Sequence, residues 1–72
     1  MLLYKTDNCP FCVRLNDWME KSNIEVDIEV TTIEALRAGM HPFKTVPSLV
    51  LENGTVIDGF LNIRLYLHNN NQ

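Results

Sequence analysis

The chain reads as an α/β protein in the order β-α-β-α-β-β-α, forming a four-stranded mixed sheet with helices on both faces. Three observations predict this. The apolar run Met1-Leu2-Leu3-Tyr4 leads through a polar turn into Cys9-Pro10-Phe11-Cys12 and a stretch of helical periodicity. A strictly alternating segment from Ile24 to Val30 comes next, so two strands flank one helix and lie parallel through a right-handed crossover. Asn53-Gly54, set between two apolar runs, then marks a hairpin that adds two antiparallel strands before a last helical stretch.

Each element has a local reason. Leu2, Leu3 and Tyr4 form a short buried strand that ends at Lys5-Thr6-Asp7-Asn8. From Pro10 to about Ser22, Phe11, Cys12, Leu15, Trp18 and Met19 recur at helical spacing; Pro10 occupies the first turn, where its missing N–H costs nothing, and Cys9 falls at or near the N-cap. Ile24, Val26, Ile28 and Val30 give the second strand a buried face, and Glu25, Asp27 and Glu29 give it an acidic one, as expected of a solvated edge strand whose charges discourage pairing with other chains. Thr31 and Glu34 have capping-box spacing and Gly39 supplies a stop, which predicts a short helix over Thr32 to Ala38. Strands over Pro47 to Glu52 and Thr55 to Asp58 follow the loop of His41, Pro42 and Lys44. Phe60 to Leu67 is helical, and Asn69-Asn70-Asn71-Gln72 is a polar frayed end.

Composition narrows the function. The 72 residues suit a single domain, 1–72, and 46% hydrophobic content lets it rest on its core. Six Lys and Arg against nine Asp and Glu give −3, with no basic run, so nothing points to nucleic acid or to an anionic membrane. No apolar stretch is long enough to span a bilayer and the first residues lack a signal-peptide layout, so a reducing, cytoplasmic setting is expected. A dithiol in such a setting is more often catalytic than structural.

Cys9 and Cys12 carry the chemistry. Two thiols separated by two residues at a strand-to-helix junction can close a reversible disulfide, and the unpaired N–H groups of a helix start favour a thiolate at Cys9. Such a bridge closes too short a loop to restrain the unfolded chain much, so it is poorly placed as a staple. The alternative is a metal or iron–sulfur binding module built on Cys9 and Cys12. Zinc wants four ligands, and His41 and His68 lie at spacings unlike any finger. No metal is therefore expected.

Cys9-Pro10-Phe11-Cys12 after the first strand, Thr45-Val46-Pro47 before the hairpin and Asp58-Gly59-Phe60 after it together resemble a glutaredoxin-type member of the thioredoxin-fold superfamily, over essentially the whole chain. The resemblance implies that Cys9 is the exposed nucleophile and Cys12 the resolving thiol. It further implies a cis Val46-Pro47 peptide facing the dithiol, with the Val46 backbone pairing with an extended segment of the bound disulfide substrate. Lys5, Phe11, Thr45, Asp58, Gly59 and Phe60 complete the implied substrate-binding set.

Two departures bear on the reductant. Glutathione-using relatives carry Lys or Arg three residues before the first Cys, where this chain has Thr6, with Lys5 one place earlier. They also carry Gly-Gly after the hairpin, where this chain has Asp58-Gly59-Phe60-Leu61-Asn62. Gly59-Phe60, with Ala35-Leu36-Arg37-Ala38 upstream, resembles the NrdH-type redoxins, which take electrons from thioredoxin reductase and pass them to ribonucleotide reductase. The implied function is a monomeric dithiol–disulfide oxidoreductase, an electron carrier with no tightly bound cofactor. Its partners are disulfide-containing proteins, ribonucleotide reductase among them, and its external reductant is glutathione or a thioredoxin-reductase-type flavoenzyme. With Lys5 as the only cation expected near the dithiol and Asp58 repelling carboxylates, weak glutathione dependence and direct reduction by the flavoenzyme are expected.

Overall fold

A computed structural model describes residues 1–70. Its elements are β1 (Leu2–Lys5), α1 (Pro10–Lys21), β2 (Asp27–Val30), α2 (Ile33–Arg37), β3 (Ser48–Val50), β4 (Val56–Asp58) and α3 (Phe60–Asn70). The sheet order is β2-β1-β3-β4. β1 runs parallel to β2, with Leu3 opposite Ile28, and antiparallel to β3, with Leu3 opposite Leu49; β3 and β4 form the hairpin. The expected mixed α/β sheet is thus the observed one.

On one face, Leu3 and Leu49 pack with Leu15 and Met19 of α1 and with Ile63 and Leu67 of α3. Leu15, Leu49 and Ile63 are fully buried. Alternation turns Tyr4 to the other face, where its ring meets His41 and Phe43 from the segment after α2, with centroids 4.9 Å away in each case.

Helix ends follow from local chemistry. Cys9 caps α1 in extended conformation (φ −121°, ψ 101°) with Pro10 in the first turn. Beyond the end of α1, Asn23 takes a left-handed φ of 56°. Its N–H reaches the Glu20 carbonyl, and that of Ile24 reaches the Met19 carbonyl at 2.9 Å, closing a Schellman motif whose apolar contact is Met19 with Ile24. Gly39 (φ 73°) closes α2 the same way, with Met40 bonded back to Ala35.

Five expectations need correction. Lys5 ends β1 rather than beginning the turn. β2 spans only Asp27–Val30 and has no buried face: Ile24 is buried and Val26 half-buried, but Ile28 and Val30 are 41% and 53% exposed. The reason is the sheet order. β2 is an edge strand, while the buried side chains of α1 converge on Leu3 and Leu49 in the two central strands. Thr32, not Thr31, caps α2, accepting the Ala35 N–H at 3.1 Å; the Thr31 hydroxyl is instead held by His41.

The hairpin loop has three residues rather than two, since Leu51 N–H bonds Thr55 and Gly54 N–H bonds Leu51. A β-turn followed by Gly54 at φ 89° gives that longer loop. Finally, Asn69 and Asn70 are helical, Asn70 Nδ2 donating to the Tyr66 carbonyl at 2.8 Å, whereas Asn71 and Gln72 lie outside the described residues.

Candidate functional site

The carboxyl end of β1 delivers the chain to Cys9, and α1 starts on the next residue. Cys9 and Cys12 are joined as a disulfide with Cα atoms 5.1 Å apart. Cys9 Sγ accepts a hydrogen bond from the Cys12 N–H at 3.2 Å, one of the donors that a helix start leaves without an intrahelical partner. On its other side it lies 3.8 Å from the Val46 carbonyl oxygen. A disulfide sulfur carries no proton, so this second approach is a contact. The first is a fixed dipole aimed at the atom that becomes negative on reduction.

Val46 and Pro47 are set opposite the sulfurs by their own bonds. The peptide between them is cis. Ser48 Oγ donates to the Thr45 carbonyl at 2.7 Å, and the Gly59 N–H donates to the Pro47 carbonyl at 3.2 Å, tying this turn to the start of α3. Gly59 takes φ 88°, and its carbonyl accepts the Ile63 N–H that opens α3.

Two grooves meet here. The first, about 620 Å³, is lined by Cys9, Phe11, Leu36, Arg37, Lys44 and Val46, among others. The second, about 350 Å³, is lined by Phe11, Val46, Pro47, Phe60, Leu61 and Asn62 with Gly59. Phe11 and Val46 belong to both.

Most of the residues singled out from the sequence do gather here, with three adjustments. Cys9 is recessed rather than exposed, at 8% against 4% for Cys12, because it sits at the helix cap beneath Val46 and the groove walls; of the two, only Cys9 lines a groove. Lys5 is not in the groove wall, and Thr6 is. Asp58 is exposed and lines neither groove; its carbonyl accepts from Asn62 Nδ2 at 3.0 Å. Phe11 is 54% exposed beside the disulfide, and Thr45, Gly59 and Phe60 line one groove or the other.

Sequence reasoning missed Arg37 and Lys44. They lie far along the chain from Cys9, and only the packing of the end of α2 and of the segment after it brings them to its groove. They are the groove's only charged lining residues, and both are cations although the chain carries −3. Their flanking of the loop that leads into Thr45-Val46-Pro47 was the one available signal.

Among the described residues no three His, Cys, Asp or Glu side chains converge as a metal site, and no helix is long and apolar enough to cross a membrane. Residues 8–70, which include both cysteines, Thr45-Val46-Pro47 and Asp58-Gly59-Phe60, match the family described as glutathione S-transferase, N-terminal domain. Comparison with curated proteins and with solved structures gave no match.

Proposed function

The chain belongs to the glutathione S-transferase N-terminal domain family, on a thioredoxin-like fold, and from that premise we propose that it is a glutaredoxin-type dithiol–disulfide oxidoreductase that draws its electrons from glutathione. Paired cysteines at disulfide distance favour disulfide exchange over group transfer, which needs only one nucleophile.

The reduced protein attacks through the Cys9 thiolate, which the Cys12 N–H is placed to stabilise. A Cys9–substrate disulfide forms, the substrate disulfide breaks, and the departing sulfur takes a proton from water. Cys12 then attacks Cys9 Sγ, the Cys9–Cys12 disulfide closes, and the second substrate thiol leaves. The substrate gains two electrons and two protons by this sequence, and the protein loses them. Two glutathione molecules restore the dithiol and leave as glutathione disulfide.

The observation that carries the choice of reductant is the groove containing Cys9. Glutathione bears two carboxylates, and Arg37 and Lys44 offer cations in the wall of the groove that Cys9 lines, where Lys5 has no place. In this reading the carrier acts as a cytoplasmic monomer, with disulfide-containing proteins such as ribonucleotide reductase as its clients.

The test supplies NADPH and a small neutral disulfide with either glutathione plus glutathione reductase or thioredoxin reductase alone. Saturable turnover in the first mixture and little in the second is expected. The opposite pattern assigns the chain to the flavoenzyme-linked redoxins. Stoichiometric metal or colour in the purified protein would instead support the metal-binding alternative.

A further inference from the structure

Building on the dithiol reading above, on which this inference rests, we propose that the two grooves together select the polypeptide substrate. That substrate is an extended segment of a partner protein whose disulfide-bonded cysteine has acidic residues on one side and a large apolar residue on the other.

The grooves differ in chemistry while sharing a seam. The one that holds Cys9 has Arg37 and Lys44 as its charged lining residues and no carboxylate. Attraction to an acidic flank is therefore unopposed within that wall, in a protein whose other charges are mainly negative. The neighbouring groove has no charged lining residue. Its one side-chain amide, Asn62, already donates to the Asp58 carbonyl.

Its other side chains are hydrocarbon, and much of their surface stands in water. Phe11 is 54% and Leu61 74% exposed, and the Phe11 and Phe60 rings lie 6.3 Å apart as one tilted pair. Apolar surface kept exposed beside a reactive sulfur is a docking feature, since covering it is favourable and nothing else in the described fold does so. Arg14, which sits over the Phe11 ring at 5.7 Å, adds a cation to the rim and opposes no acidic partner.

Because Phe11 and Val46 belong to both walls, a cysteine positioned at Cys9 Sγ has one neighbouring segment in each groove. A chain that spans both must be extended there. The cationic groove is also the one proposed for glutathione, so the two ligands exclude each other there and must bind in turn.

The test uses prereduced protein in single turnover, followed by mass spectrometry, so that no external reductant enters. Short peptides carry one cysteine disulfide-bonded to 2-mercaptoethanol, with Asp-Asp on one side and Leu on the other, in both orders. Controls replace Asp-Asp by Lys-Lys or Leu by Ser, and bis(2-hydroxyethyl) disulfide is the neutral reference.

In its better order, the acidic–apolar peptide should react about tenfold faster than its lysine counterpart, a margin that shrinks at high salt as exposed charge pairs are screened. Replacing Leu by Ser should slow the reaction by a factor that salt leaves unchanged. An Arg37→Glu, Lys44→Glu double variant should prefer the lysine peptide, a gain that misfolding cannot imitate. Equal rates for all peptides alongside normal reduction of the neutral reference would overturn this selectivity and leave the dithiol reading standing. Failure to reduce even the neutral reference would overturn the dithiol reading itself.

Discussion

The Thr31 hydroxyl lies 2.8 Å from Nε2 of His41, and this contact ties the end of β2 to the loop that forms one wall of the Cys9 groove. Both partners are fixed from behind. The Thr31 N–H donates to the Lys5 carbonyl at 2.7 Å, prolonging the β1–β2 ladder, and the His41 ring stacks on buried Phe43 at 4.9 Å with the planes 5° apart. Lys44 and Thr45 follow directly on this anchored pair.

Removing the contact should loosen the loop. Thr31→Val is expected to cost about 1 kcal/mol in urea unfolding, the usual worth of a partly buried hydrogen bond, and Thr31→Ser should restore it. His41→Ala should cost more, because the Phe43 and Tyr4 rings lose a neighbour as well. If the loop is held by this bond, both variants raise KM for glutathione while kcat with a small neutral disulfide stays near wild type. Unchanged KM in a destabilised Thr31→Val would make the contact a purely structural one.

The two sulfurs should behave unequally. Cys9 lines the groove and accepts the Cys12 N–H, whereas Cys12 lines neither groove. Cys9→Ser is expected to abolish disulfide reduction. Cys12→Ser should retain attack and accumulate a mixed disulfide with glutathione, seen as one adduct by intact-mass measurement. Equal adducts on both variants would remove this assignment of roles.

Charge reversal in the groove should be read in KM. Arg37→Glu or Lys44→Glu alone is expected to raise KM for glutathione roughly fivefold at low ionic strength, with the effect largely lost at high salt, as befits exposed charges. Lys5→Glu should change KM much less, since Lys5 is outside the groove wall. A larger effect at Lys5 than at Arg37 would return the anion site to the position expected from the sequence.

The core sets the stability of so short a chain. Leu49→Ala removes a fully buried side chain and should cost about 2–5 kcal/mol. For 72 residues the whole stability is expected at roughly 4–11 kcal/mol, so this loss is a large share of it and should appear as a clearly lowered melting temperature by circular dichroism. Leu61→Ala, on a residue 74% exposed, should stay within about 0.5 kcal/mol of wild type.

What the sequence made legible was local. Helical spacing from Phe11 to Met19, the turn at Asn53-Gly54 and the placement of Pro10 are short-range signals, and each marks its element. The cysteine pair was legible for the same reason, its two members being only three positions apart. Two kinds of information were not. The alternation in Ile24 to Val30 could not say how far α1 extends over an edge strand, so Ile28 and Val30 came out exposed. Nor could it show that the end of α2 and the segment after it bring Arg37 and Lys44 into the groove that Cys9 lines, because that placement depends on long-range packing. The shift of the α2 cap from Thr31 to Thr32 belongs with these, since a tertiary bond to His41 outcompeted the local capping pattern.

The distribution of charged side chains between two of the grooves has a consequence for molecules that have not yet touched the surface. Glu20, Glu25 and Asp27 border a groove that also includes Met1, at the starting end of β1, while Arg37 and Lys44 border the groove at the end from which the chain runs on to Cys9. The groove that holds Cys9 is therefore locally cationic in a chain whose net charge is negative. An anionic visitor is repelled by the net −3 taken as a point. Within a screening length of about 8–10 Å, however, it meets the attraction of Arg37 and Lys44 in the wall of the Cys9 groove. Added salt weakens that local attraction along with the overall repulsion.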